Sequence, residues 1–294
     1  MRFSLGLLGA LLAVFAPLNF AQAIVFFSQG NDANLSSPAG ISLPWDNVVQ
    51  MRSDTGPIGS GVYLGNRYVL TAAHVAPLTS VRVGFVDYAL DSSSAVNIGT
   101  SDMKLVRLAN DPGLGSVRLN SSPASDGGSA YVVGYGVGRS SSSLLNSSPV
   151  IWGDDATVAK RWGTNTVDAA YSVATVNGYT SDLLRTQFNT NAGANEAALT
   201  RYDSGSALFR QIGSSWYLVG LGAYVQNSNL SGASTQFDSA NSDDNYFIRI
   251  SSYSIATDQI GAVGVPEPSS FQFLMGGLLF LGILAFRRIR RLRV

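Results

Sequence analysis

His74 is the only histidine in the 294-residue chain, so any imidazole chemistry the protein performs happens there. An unperturbed imidazole titrates near pH ~6.5 and can both take and give a proton at neutral pH. A histidine closing the apolar run Tyr68-Val69-Leu70-Thr71-Ala72-Ala73-His74-Val75 is also served by a plain structural role, bonded to a backbone carbonyl. Two further stretches give it chemical partners. Ser204, in Tyr202-Asp203-Ser204-Gly205-Ser206-Ala207, is a candidate nucleophile. A serine hydroxyl attacks only when a nearby base takes its proton, and that base needs a third group to fix its tautomer and orientation. Asp102, at the head of Asp102-Met103-Lys104-Leu105-Val106-Arg107-Leu108, offers that third group. The chain order is His, Asp, Ser. An α/β-hydrolase needs its histidine after the serine, and no histidine follows Ser204.

The elements that must carry these residues are strands. Short apolar runs recur between turn residues: Gly61 to Leu64, Tyr68 to Thr71, Val81 to Val86 and Met103 to Leu108, then Ala130 to Val133, Leu183 to Phe188, Ala207 to Ile212, Trp216 to Ala223 and Tyr246 to Ile250. This is an all-β pattern. One short helix is expected, over Tyr253 to Ile260, and Asn120 to Gly128 reads as a linker between two halves.

Taken together, Thr71-Ala72-Ala73-His74-Val75, the D-x-x-L-x-x-L run from Asp102 and Asp203-Ser204-Gly205-Ser206 resemble the chymotrypsin/trypsin-like serine proteases. Pro44-Trp45, Gly134-Tyr135-Gly136, Trp216-Tyr217-Leu218-Val219-Gly220 and Ile248-Arg249-Ile250-Ser251-Ser252-Tyr253 resemble further motifs of that family, in the family's order. The resemblance implies two antiparallel six-stranded β-barrels, the first over 24–125 carrying His74 and Asp102 and the second over 126–263 carrying Ser204. It implies an endopeptidase acting on protein or peptide substrates through an acyl-enzyme, with no cofactor. The backbone N–H groups of Tyr202 and Ser204 would form the oxyanion hole. The family has glycine where this chain has Tyr202, and that departure supports the alternative of a protease-like binding or matrix protein with weak or no activity. For the specificity pocket, the resemblance places Ala198 at the base, with Glu196 close by, and Tyr224 and Val225 on the wall. Val225 stands where the family typically has glycine, which favours small apolar side chains before the scissile bond.

The two ends carry targeting signals. Residues 1–23 hold one arginine, an apolar run from Leu5 to Phe15 and Ala21-Gln22-Ala23, the form of a secretory signal peptide read by signal peptidase. Cleavage there would begin the chain at Ile24-Val25. Many members of the family resembled start with Ile-Val and bury the new amine against the Asp that precedes the serine, here Asp203. In the tail, 264–294, Val265-Pro266-Glu267-Pro268 precedes an apolar run from Phe271 to Phe286 and five arginines. Sixteen residues is marginal for a membrane span, and the arginines would hold its end in the cytoplasm. The order resembles the PEP-CTERM sorting signal of Gram-negative bacteria, which an exosortase recognises. It implies a protein held transiently at the inner membrane and then secreted or displayed at the cell surface or in extracellular matrix. A plain membrane anchor is the alternative.

Residues 24–266 carry thirteen basic and eighteen acidic residues, a net charge of about −5, with no clustered basic and aromatic patch, so nucleic acid is not an expected partner. The absence of cysteine rules out disulfides, so stability has to come from a buried core. No metal site is expected. One histidine and no cysteine leave only carboxylates for zinc, and the Asp238 to Asn245 loop lacks EF-hand spacing. In a host with the matching exosortase, the exported protein should begin at Ile24 and end near Val265 to Pro268. Intact-mass analysis decides this, and recovery outside the cell of a chain ending at Val294 would refute it.

Overall fold

The computed structural model describes residues 24–255 apart from 92–93, 148, 190, 227–235 and 238–242. The expected signal peptide, the expected sorting tail and most of the acidic loop before Asn245 therefore lie outside the described residues. Twelve strands build two barrels. The first uses β1 (Val48–Ser53), β2 (Gly56–Gly65), β3 (Tyr68–Ala72), β4 (Ser80–Val83), β5 (Val86–Ala89) and β6 (Met103–Arg107). The second uses β7 (Gly128–Gly134), β8 (Arg161–Val176), β9 (Tyr179–Phe188), β10 (Ala207–Ile212), β11 (Ser215–Gln226) and β12 (Asp243–Arg249).

Each sheet closes on itself. In the first, β4-β1-β2-β3-β6 is completed where Leu90, just past β5, bridges Leu108, just past β6. In the second, β10 pairs with β7 on one side and β11 on the other, which closes the ring β10-β7-β8-β9-β12-β11. Closure removes the exposed edges that an open sheet would present for aggregation. Two-residue turns set the register of two hairpins. Asn66-Arg67 joins β2 to β3 with φ of 48° and 70°, and Asn177-Gly178 joins β8 to β9 with φ of 53° and 84°. Positive φ at both central residues matches the twist of the flanking strands.

The continuous apolar runs have a simple physical cause: these strands are buried on both faces. Along β2, Tyr63 fills the first barrel while Val62 and Leu64 face the seam between the barrels; along β3, Val69 fills the barrel and Leu70 meets the seam. The second barrel repeats the alternation, with Val132, Leu208 and Phe247 inside and Val133, Phe209 and Ile248 in the seam. The seam cluster thus joins both halves in one core. Each large apolar side chain buried this way contributes ~1.5–3 kcal/mol relative to exposure.

Two expectations need correction. The expected helix does not begin at Tyr253: a 3₁₀ turn occupies Ile250–Ser252, and Tyr253 is already extended with φ −125° and ψ 136°. Residues 256–260 lie outside the described residues. The Asn120 to Gly128 stretch runs from beyond β6 to the first residue of β7 and is pinned. Asp126 is buried and accepts hydrogen bonds from Asn120 Nδ2 at 2.6 Å, Arg249 Nε at 2.6 Å and Ser251 Oγ at 2.7 Å. Second, the run from Val81 to Val86 is two strands, turned at Gly84-Phe85. Strands β1 and β8 carried no clear apolar run and were not expected. Their polar and glycine positions, such as Gln50 and Arg161-Trp162-Gly163-Thr164-Asn165, hide the alternation.

Candidate active site

The β3–β6 ladder places two of the three chemical residues. Ala72 opposes Met103 in register, so Asp102 and Ala73-His74 leave the two strands side by side. The Ala73 N–H donates to the Asp102 carbonyl at 3.1 Å, and the His74 N–H donates to Asp102 Oδ1 at 2.9 Å. Lys104 holds the turn from behind. Its ammonium, 8 % exposed as a residue, donates to the carbonyls of Ala73 at 3.2 Å and Val75 at 2.5 Å, on either side of His74. Burial lowers the Lys104 pKa, and the nearby Asp102 charge partly restores it. The Asp102 backbone is tied to the second barrel, donating to Ser181 Oγ at 2.9 Å.

Ser204 arrives from the other half, on the tight turn before β10. Gly205 makes this turn possible. It has φ of 84°, and a Cβ there would lie 2.1 Å from the Ser60 carbonyl. The turn docks on β2 through Ser60, whose N–H donates to the Ser204 carbonyl at 2.8 Å and whose hydroxyl donates to the Tyr202 carbonyl at 2.9 Å. The result brings the three predicted residues together. His74 Nδ1 lies 2.6 Å from Asp102 Oδ2, and His74 Nε2 lies 2.8 Å from Ser204 Oγ. A carboxylate only accepts hydrogen bonds, so Nδ1 carries the proton and Nε2 is left to accept from the serine hydroxyl.

The remaining predicted residues divide. Tyr202 has φ of 74°, a left-handed conformation that costs a non-glycine residue on the order of 1–3 kcal/mol. Among the described residues, neither the Tyr202 N–H nor the Ser204 N–H has a hydrogen-bond acceptor. Tyr224 and Val225 line the cleft of about 230 Å³ that contains His74, Asp102 and Ser204. Ala198 does not line it. It is buried and pairs with Val25, while Leu199 and Thr200 take the lining position instead. Glu196 is also buried outside the lining, accepts the Asn189 N–H at 3.3 Å, and is pushed up to about 7 by burial. Trp152 and Arg201, which no sequence motif marked, line the cleft too.

Asp203 is fully buried, and burial pushes its carboxyl up to about 7 against the opposing effects of Thr200 and the Arg161 charge. Its Oδ2 accepts from the Thr200 N–H at 2.8 Å and the Thr200 hydroxyl at 3.0 Å. Its Oδ1 has no hydrogen-bond partner among the described residues. Ile24 is 1 % exposed, and Val25–Phe26 pairs antiparallel with Ala197–Ala198, so the segment packs on the second barrel rather than with the rest of 24–125. With residues 1–23 attached, no described hydrogen bond or ion pair joins Ile24 to Asp203. No cluster of three or more potential metal-binding side chains occurs among the described residues.

The sequence profile of the trypsin family matches residues 34–242, well over half of the 294 residues, and the chain belongs to that family. It therefore carries a trypsin-like serine protease domain. Its fold is similar to that of neuropsin, a serine protease expressed in the limbic system of mouse brain, with a TM-score of 0.52 and 18 % identity over 77 % of this chain and 97 % of that one. It is similar too to an inactive form of Rv3671c from M. tuberculosis, with a TM-score of 0.50 and 14 % identity over 82 % of this chain and 97 % of that one. No curated protein matches the chain at a significant level.

Proposed function

We propose that the protein is an exported serine endopeptidase in which Ser204 is the nucleophile, His74 the base and then the acid, and Asp102 the group that orients His74. The observation that carries this is the pair of contacts on one imidazole, 2.6 Å to Asp102 Oδ2 and 2.8 Å to Ser204 Oγ. Ser204 Oγ attacks the scissile carbonyl as its proton passes to His74 Nε2. Asp102 stabilises the imidazolium, which then protonates the leaving amine; water enters and the same proton path releases the acid. The N–H groups of Tyr202 and Ser204 are the oxyanion donors in this reading. The strained Tyr202 backbone favours a second reading, a protease-like binding protein with little activity. A loss of activity on changing the triad separates the two. His74→Ala and Ser204→Ala should each lower kcat on casein by roughly 10⁵- to 10⁶-fold, with little further loss in the double variant. Asp102→Asn should cost roughly 10⁴-fold. Undiminished hydrolysis by Ser204→Ala would refute the assignment.

Removal of residues 1–23 is proposed to activate as well as export the enzyme. The support is the orphaned Asp203 Oδ1 in a closed site, together with the Ile24 segment already seated on the second barrel. An ammonium at Ile24 would give Asp203 a cation and order the Tyr202 to Ser204 turn. A chain extended ahead of Ile24 should then be poorly active until trimmed. It should also lose stability as pH rises through about 7, because a carboxyl raised from 3.8 in the fold resists the ionisation that the unfolded chain undergoes freely. The trimmed chain should lack that loss. Equal activity and equal pH profiles for the two forms would remove the idea.

Substrate preference follows from the cleft wall. Tyr224 stacks on Tyr246 at 4.8 Å and lines the cleft with Val225, Leu199 and Thr200, and among the described residues the only carboxylates in that lining are Asp102 and Asp203. Small apolar residues before the scissile bond should be preferred by roughly 10- to 200-fold. A peptide-library profile tests this. Dominant cleavage after Arg or Lys would contradict it and implicate Glu196, and cleavage after Phe or Tyr would mean that Val225 does not narrow the cleft.

A further inference from the structure

Tyr202 is held in its left-handed conformation from three sides. Its carbonyl accepts from Ser60 Oγ at 2.9 Å, and the preceding Arg201 carbonyl accepts from the Val137 N–H at 2.9 Å. The third hold is on the side chain. Tyr202 Oη donates to the Asp155 carboxylate, 3.1 Å from Oδ1 and 3.2 Å from Oδ2, and Arg201 Nη2 lies 2.7 Å from the same Oδ1. The Arg201 guanidinium also stands over the Tyr202 ring, 5.0 Å from its centroid. Asp155 opens the 3₁₀ turn Asp155–Thr157, which is fixed to the segment that follows β7: the Gly138 N–H donates to Thr157 Oγ1 at 3.0 Å and to the Thr157 carbonyl at 3.1 Å, and the Gly153 N–H donates to the Gly138 carbonyl at 2.7 Å. Segment 136–139 thus anchors both Arg201 and the turn that carries Asp155.

We infer that Asp155, Arg201 and the Tyr202 side chain form a clamp that holds the Tyr202 peptide in the positive-φ state needed for its N–H to serve as an oxyanion donor. The inference rests on the serine protease reading above. Glycine adopts this conformation without penalty, whereas tyrosine enters it only when its surroundings over-determine it. Here the added side chain supplies its own restraint. Asp155 and Arg201 are positioning residues, since neither has to touch the reacting atoms. The Asp155 and Arg201 side chains are 61 % and 48 % exposed, so the ion pair alone contributes little, and the effect of the clamp should be moderate and weakened by salt.

The test is a double-mutant cycle on the full mature chain, assayed with a short fluorogenic peptide amide that has alanine before the scissile bond. Asp155→Ala should lower kcat by roughly 3- to 30-fold while KM stays within about twofold, because an oxyanion donor acts in the transition state and not on bound substrate. Tyr202→Phe, which keeps the ring under Arg201 but loses the hydroxyl, should give a smaller loss. In a Tyr202→Gly chain, adding Asp155→Ala should have no further effect, since glycine needs no clamp. Equal losses from Asp155→Ala in the tyrosine and glycine chains would overturn the clamp, as would no loss in the tyrosine chain or an inactive Tyr202→Gly chain. A parent chain whose activity on this peptide survives Ser204→Ala would instead overturn the protease reading itself.

Discussion

Ser60 is the point on which the relation between the two barrels depends. It lies on β2, is fully buried, and uses every polar group it has: its N–H goes to Ser204, its hydroxyl donates to Tyr202 and accepts from the Tyr135 N–H at 2.8 Å, and its carbonyl accepts from Thr71 Oγ1 at 2.7 Å. His74 and Asp102 come from one half of the chain and Ser204 from the other, so a nitrogen-to-oxygen distance of 2.8 Å has to be fixed across the seam. Apolar packing there supplies most of the free energy but little angular precision. Directional hydrogen bonds supply the register, and Gly205 permits the close approach that they require.

A second constraint is the burial of charge around the histidine. The His74 backbone is held by Asp102 Oδ1 in front and by Lys104 on the flanking carbonyls, which leaves the ring free to bond through both nitrogens. Lys104 is costly to bury, and its two carbonyl partners with the adjacent Asp102 charge offset that cost. Asp203 is the unbalanced case. Its carboxyl is deep, raised by burial and half unsatisfied, directly before Ser204 in the chain. The positive φ of Tyr202 lies in the same turn.

Much of this was legible in the sequence because the chemical residues are few. A single histidine, an Asp heading an apolar strand and a Ser in a glycine-containing turn left little freedom in assigning partners, and the order of motifs implied the two-barrel architecture. What could not be read has common physical causes. Strands such as β8 alternate polar and small residues whose burial depends on partners far along the chain, so their periodicity is faint. Ser60, Lys104, Thr200 and Asp155 act through contacts with residues distant in sequence or through backbone groups, and neither leaves a local signature. Counting back from Ser204 fixes chain position but not direction: Ala198 pairs with Val25, and its neighbours Leu199 and Thr200 border the cleft.

The central claim is that the His74–Asp102 pair makes the Ser204 hydroxyl nucleophilic. Covalent capture with a fluorophosphonate tests this directly, because an unactivated serine does not displace its fluoride. Peptide mapping of the treated mature protein should place one adduct per chain on Ser204, and none should form when His74 is alanine. An adduct elsewhere, or equal labelling with and without His74, would contradict the account.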